Sequence, residues 1–155
     1  MSDDSTLQAI LDRFAIDDLL TAYADALDQR DWPRLSELFV PSAVLDFTAA
    51  YGRRAGRDDA IVWLSGQVTR EFAPETQHLL TNRRWTCTGD RADGRADFFN
   101  PDVIAAGGEP FLLLNGGRYD FGAVRTPDGW RFDRLAGTVL WSHRGELLVF
   151  DPSGD

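Results

Sequence analysis

The stretch FAPETQHLLTNRRW, residues 72–85, holds His78, one of only two histidines in the chain. After Pro74, the residues Thr76, Leu79, Leu80, Thr81 and Trp85 read as a β-strand. Strand positions two and four apart share a face, so His78, Leu80 and Asn82 are expected to point the same way. That face is either solvent or the wall of a cavity with a titratable group in it. An imidazole with its ordinary pKa near ~6.5 both takes and gives a proton around neutrality, which suits general acid–base chemistry. Asn82 and Asn100 are strand asparagines, unfavourable there unless bonded to something. Ligand contact is one answer; a bulge or turn contact is the other, and it fits Asn82 better. Tyr23 sits on the apolar stripe of a helix. It is either a core aromatic with its hydroxyl at a pocket edge or a donor to a substrate carbonyl in oxyanion-hole fashion. Asp102 follows Pro101 and either begins a loop or faces the pocket.

These groups need elements to position them. Leu7, Ile10, Leu11, Phe14, Leu19, Leu20, Tyr23 and Leu27 recur at three- and four-residue steps, which predicts a helix over 7–29. Asp12, Asp17, Asp18 and Asp25 fall mostly off that stripe and are expected to be solvated. Asp31-Trp32-Pro33 opens a second short helix, with Asp31 as N-cap and Pro33 in the first turn. Its expected apolar face is Leu35, Leu38 and Phe39, and Pro41 ends it. Residues 43–47 read as a short strand and 50–58 as a Gly/Arg-rich loop. A third helix is expected from about Asp58 to Phe72. Four strands follow, near 75–88, 92–102, 110–126 and 129–143, with tight turns at Gly89, Gly107-Gly108 and Pro127-Asp128-Gly129. Helices first and strands after is an α+β pattern. Gly116-Gly117 and Gly137 can bend long strands, so the sheet is expected to curl around the first helix and leave a pocket at its open end.

At 155 residues the chain is read as one domain, about 5–150, with a frayed tail from Asp151. Its apolar fraction of 43%, with five Trp and ten Phe, can build both a core and a greasy pocket. A net charge of −9 argues against nucleic-acid and anionic-membrane partners. The single cysteine allows no intrachain disulfide, and no Cys/His metal cluster is present. The first residues lack a signal peptide and no run can span a bilayer, so a cytoplasmic location is expected.

The runs YADALDQRDWPRL (23–35), VLDF (44–47), TQHLLTNRRW (76–85), FNPD (99–102) and GGRYDFGAVRTPDGWRF (116–132) resemble the nuclear transport factor 2-like superfamily. Within it, the chain is most similar to the SnoaL-like, scytalone-dehydratase and polyketide-cyclase-like branch. The resemblance implies a cone-shaped curved antiparallel sheet wrapped on three N-terminal helices. It also implies a catalytic pair made by Asp28, at the end of the first helix, and His78. A second pocket histidine of the dehydratases becomes Asp102 here, a His–Asp arrangement similar to that of bile acid dehydratases. Their two water-holding tyrosines fall on Leu27 and Phe47, so Tyr23 is the candidate replacement phenol. The family's later pocket asparagine falls near Asp120 and a serine near Arg118, whereas a bulge at Gly116-Gly117 would turn Tyr119 inward instead.

The resulting expectation is a cofactor-independent, metal-free dehydratase acting on a hydrophobic carbonyl-bearing ring compound such as a polyketide or steroid. Asp28, His78 and Tyr23 would do the chemistry. Asn100, Asp102, Phe47, Tyr119, Asp120 and Arg118 would contact substrate. Isomerase, cyclase and non-catalytic binding module are the competing readings, and epoxide hydrolysis would call for an Asp–Arg–Asp set from Arg118, Asp120 and Asp102. A homodimer is expected, with a trimer as the alternative. Asp46 should face away from Phe47, and His143 should be on the surface.

Overall fold

A computed structural model describes residues 3–147. Helix α1 (Asp3–Gln29) buries Ile16, Leu19, Leu20, Tyr23 and Leu27 against the sheet. Leu7, Ile10, Leu11 and Phe14 do not follow: they are exposed, because at 100° per residue they lie on the side of the helix opposite Ile16, Leu19, Leu20 and Tyr23. Asp12 departs from expectation in the other direction and is buried. Its Oδ1 accepts from Gln8 Nε2 (2.9 Å) and Trp130 Nε1 (3.2 Å), and its Oδ2 from the Arg125 guanidinium (2.7 Å). Three donors on one carboxylate offset the loss of water.

Arg30, at φ +57°, ends α1 in a left-handed residue. Its guanidinium donates to the carbonyls of Asp28, Val68 and Ala73, tying the end of α1 to residues 68–73. Asp31 caps α2 (Trp32–Glu37) by accepting from Arg34 N–H, as its position predicts. Phe39 does not belong to that helix. It opens β1 (Phe39–Phe47), with Pro41 in an irregular stretch where the ladder to the last strand, residues 129–146, shifts register. The expected loop over 50–58 is structured: α3 (Thr48–Tyr51) is one turn closed by Gly52 at φ +67°, and β2 (Arg53–Gly56) pairs with β1. Helix α4 (Arg57–Gln67) stops five residues before Phe72.

The strands β3 (Glu75–Thr76), β4 (Leu79–Thr88), β5 (Arg91–Ile104), β6 (Phe111–Thr126) and β7 (Gly129–Glu146) complete one sheet, ordered β2-β1-β7-β6-β5-β3 with β4 also on β5. All pairs are antiparallel except β1 with β7, which run parallel. Two extra residues on β7, opposite Gly116/Gly117 and Gly122/Ala123, increase the twist and curl the sheet. The concave face closes on α1 through Tyr23, Phe39, Phe121 and Phe132, whose rings pack 5.2–6.2 Å apart, mostly edge to face. The expected fraying from Asp151 lies outside the described residues. No helix among the described residues is long and apolar enough to cross a membrane.

Candidate active site

The site begins with a missing hydrogen bond. Thr76 stands opposite Asp102 and Leu79 opposite Phe99, one unbroken register on either side of a two-residue interruption. Carried through, that register sets Gln77 against Pro101 and His78 against Asn100. Proline has no N–H to give to a ladder, so an acceptor on the facing strand goes unpaired and the pairing is interrupted there. The His78 N–H is held instead by the last turn of α1, where Asp28 Oδ2 accepts it at 2.9 Å. Asp28 Oδ1 lies 2.6 Å from His78 Nδ1, and Thr76 Oγ1 donates to the same oxygen at 3.3 Å.

Backbone N–H and hydroxyl donors already fall on this carboxyl, so it acts as an acceptor and ring Nδ1 carries the hydrogen. Nε2 is then the free lone pair. Both side chains are largely shielded, at 13% exposure for His78 and 19% for Asp28. His78 lines a cavity of about 310 Å³, and Asp28 stands behind it as its support.

The cavity wall is mostly apolar, with Leu27, Phe47, Phe98 and Val139 among its residues. Leu27 and Phe47 mark where the dehydratase resemblance would have put tyrosines. Phenols enter from elsewhere: all three tyrosines of the chain, Tyr23, Tyr51 and Tyr119, line the cavity. Tyr23 and Tyr119 are buried with rings 5.5 Å apart, edge to face. Burial, above all, raises both phenol pKa values, and each feels the other's hydroxyl. Both are therefore neutral hydroxyls at any physiological pH. Tyr51 is set at the mouth, its ring against Trp63 at 5.8 Å. Its pKa is raised by burial and then by the charge of Asp102.

Asn100 and Asp102 are successive inward residues of β5 and both face the cavity. Burial pushes the Asp102 carboxyl above the usual range, more strongly than neighbouring His78 draws it down, and Asp28 pushes it further up. Asn115, opposite Asn100 on β6, accepts from Ser142 Oγ at 2.6 Å, which turns its amide nitrogen towards Asp102. Asn115 and Tyr51 were not singled out from the sequence. An asparagine inside the run FLLLNGG was the available signal for the first. The second lay in a segment read as a solvated loop.

Two expected substrate contacts are corrected. Arg118 and Asp120 do not reach the cavity; they face the outer side, where Arg118 Nε lies 3.9 Å from Asp97 and Asp120 is exposed. Gly117 and Tyr119 hold the inward positions of β6. The register shift opposite Gly116/Gly117 is taken up by an extra residue on β7, leaving the alternation of β6 intact. Asp102 and the pair Arg118/Asp120 thus lie on opposite faces, and no Asp–Arg–Asp set is assembled. Asn82 also leaves the His78 face. It takes φ +48° in a bulge of β4, and its amide donates to Asp97 at 2.9 Å. Phe47 lines the cavity, Asp46 instead caps the Thr48 N–H, and His143 is exposed.

An uncharacterized protein of Mycobacterium tuberculosis is 40% identical to this chain over 129 residues, covering 83% of this chain and 86% of its own length. Among solved structures, a hexachlorocyclohexane dehydrochlorinase (LinA type 2) superposes with a TM-score of 0.82 at 22% identity, over 97% of this chain and 99% of that one. A protein of Novosphingobium aromaticivorans described as a scytalone dehydratase does so with a TM-score of 0.79 at 21% identity, over 97% and 98%. At such identities these two likenesses establish the fold. Residues 8–136 match the SnoaL-like domain, and with the curled sheet, the N-terminal helices and the 40% relative they place this chain in the SnoaL-like family of the nuclear transport factor 2-like superfamily.

Proposed function

We propose that this protein is a cofactor-independent acid–base enzyme that eliminates water from a hydrophobic, carbonyl-bearing ring compound of polyketide or steroid type. The observation that carries the reading is the 2.6 Å contact of His78 Nδ1 with Asp28 Oδ1, made by a histidine that lines a mostly apolar cavity. Nε2 takes the proton alpha to the carbonyl. The C–H electron pair becomes the new double bond as the C–O pair leaves with the hydroxyl oxygen beta to the carbonyl; Asp28 stabilises the imidazolium, which returns the proton to that oxygen so that water departs and His78 is reset. A neutral Tyr23 phenol, paired with Tyr119, donates to the carbonyl oxygen as it gains charge. General base catalysis of this kind contributes roughly 10²–10⁴-fold and a placed oxyanion donor roughly 10²–10³-fold. The cavity, about 310 Å³, lies at the small end of the ~300–1,000 Å³ range of ligand sites, which favours a compact ring system.

The working unit in this reading is a homodimer formed through the outer sheet face. Phe99, Leu140 and Trp141 are exposed there, and the Phe99 and Trp141 rings pack 5.9 Å apart.

Dehydration of 3-hydroxy-1-tetralone to 1-naphthol, followed by absorbance, tests the activity. The wild-type chain is expected to accelerate it, and His78→Ala to lose at least ~10²-fold. A wild-type rate equal to buffer, or a His78→Ala rate equal to wild type, rejects the proposal.

A further inference from the structure

A second, smaller hollow of about 150 Å³ is lined by Arg13, Arg83, Arg84 and Trp85, and it shares no residue with the His78 cavity. It lies where α1 meets β4, a strand that pairs only with β5 and so forms a sheet edge. The bulge that sets Asn82 at φ +48° adds one residue to β4 and turns Arg83 towards α1. Arg83 Nε donates to the Leu80 carbonyl at 3.2 Å. Its Nη1 donates to Thr21 Oγ1 at 3.2 Å and lies 3.5 Å from Asp17 Oδ1. None of these bonds uses Nη2. The Arg13 guanidinium lies over the Trp85 ring, 5.7 Å from its centroid. Asp17, one helical turn from Arg13, is taken by Arg83. Among the described residues neither Arg13 nor Arg84 makes an ion pair. Opposite Arg84 on β5 stands another cation, Arg95, which has Asp120 on its other side. Like charges directly opposite on paired strands cost stability, so the fold concentrates positive charge here against its own interest.

We infer that this hollow is a phosphoryl-binding site, taking inorganic phosphate or the phosphate of a monoester. Three guanidiniums less one carboxylate leave an excess of two positive charges, in a chain whose net charge is −9. A hollow lined by one sign of charge focuses the field and concentrates the opposite ion. The charge count selects the class. A phosphoryl group carries about −1.5 to −2 near pH 7, which matches the excess; a carboxylate leaves one charge uncompensated. Guanidinium chemistry agrees, since its planar fork binds two phosphate oxygens at once. Two of the forks are held before any ligand arrives, Arg13 by the Trp85 ring and Arg83 by Asp17 and Thr21. The size sets the scale: about 150 Å³ is half the ~300 Å³ floor of sites that enclose a whole small molecule. The hollow therefore holds one phosphoryl group, and the organic part of a monoester projects past the sheet edge into solvent. This site goes beyond the elimination reading and needs no part of it.

Calorimetric titration of the full chain at pH 7.5 in a low-salt buffer tests this with inorganic phosphate, methyl phosphate and acetate. At least one of the two phosphates is expected to bind with a Kd below about 1 mM and at least tenfold tighter than acetate. Methyl phosphate less than tenfold weaker than inorganic phosphate assigns the site to a monoester, and a larger gap assigns it to the free ion; both keep the phosphoryl site. Arg13→Gln and Arg84→Gln should each weaken the tighter phosphate at least tenfold. Arg54→Gln removes the same charge from an exposed arginine on the opposite edge of the sheet and should change it less than twofold. His78→Ala should bind it as the wild type does, which separates this hollow from the His78 cavity. Nitrogen NMR should find the shifts on the Arg13, Arg83 and Arg84 side chains and the Trp85 indole. No binding of either phosphate, acetate as tight as the tighter phosphate, or a loss in Arg54→Gln or His78→Ala as large as that in Arg84→Gln overturns the site.

Discussion

Asp28 holds His78 by both ends, its Oδ1 on ring Nδ1 at 2.6 Å and its Oδ2 on the backbone N–H at 2.9 Å. The carboxylate therefore sets both the rotation of the imidazole and the path of the strand that carries it. That double grip is made in the two-residue break between Thr76 and Leu79, where the ladder to β5 is interrupted.

Asp28→Asn separates these two duties. The amide oxygen can still accept the backbone N–H, but the carboxylate that fixed the ring tautomer is gone. The fold should hold within about 1–2 kcal/mol while kcat falls by roughly 10²–10⁴-fold. Nitrogen NMR of the imidazole should find the hydrogen on Nδ1 in the wild-type chain and a mixture of tautomers in the variant. An unchanged kcat would show that Asp28 is only a structural anchor.

Asp102 should give the protein a pH signature. Its folded pKa is raised, with burial as the first cause. Between the unfolded value near ~3.9 and the folded one, the native state keeps a proton that the unfolded state has lost, so its contribution to stability falls as pH rises. Asp102→Asn removes that titration. In urea unfolding the variant should gain on the wild type from pH 4 to pH 7. A stability difference flat over that range would refute the assignment.

The buried Asp12 has the opposite sign. The Arg125 hydrogen bond leads, with Gln8 and Trp130 helping, in holding its carboxyl below the usual value against burial. Its contribution is thus present above about pH 4 and lost as pH falls through the folded pKa. Asp12→Asn should cost about 1–3 kcal/mol at pH 7. Below pH 3 the gap to wild type should narrow, as thermal melts at the two pH values would record.

The outer sheet face offers a test of assembly. Trp141 lies directly on Gly116, where any Cβ would come within 2.1–2.4 Å of the indole, and its far side is open. If two copies meet there, Trp141→Glu puts a charge into the contact and should weaken dimerisation at least tenfold in sedimentation equilibrium. A wild-type chain that sediments as a monomer at 100 μM would dispose of the homodimer.

The sequence by itself determined what depends on local spacing. The three- and four-residue steps of α1, the Asp31 cap with Pro33, and the strands joined by glycine turns are each set by neighbours a few residues away. It also supplied His78, Asp28, Asn100 and Asp102 as candidates, the aspartates' roles through resemblance. Only the tertiary structure decided which way side chains face and which parts of an element are covered. Which strand takes up an irregularity is a matter of pairing: the extra residues sit on β7, so β6 alternates without a break and Tyr119 looks in while Arg118 and Asp120 look out. Asp12 was placed with the solvated residues for its charge, yet it sits one helical turn before the buried Ile16, and Trp130 and Arg125, more than a hundred residues later, supply the donors that let it be buried. The exposed Leu7, Ile10, Leu11 and Phe14 make the same point in reverse: they form an apolar stripe on the opposite side of α1 from Ile16, Leu19 and Tyr23, and only the packing says which of the two faces meets the sheet.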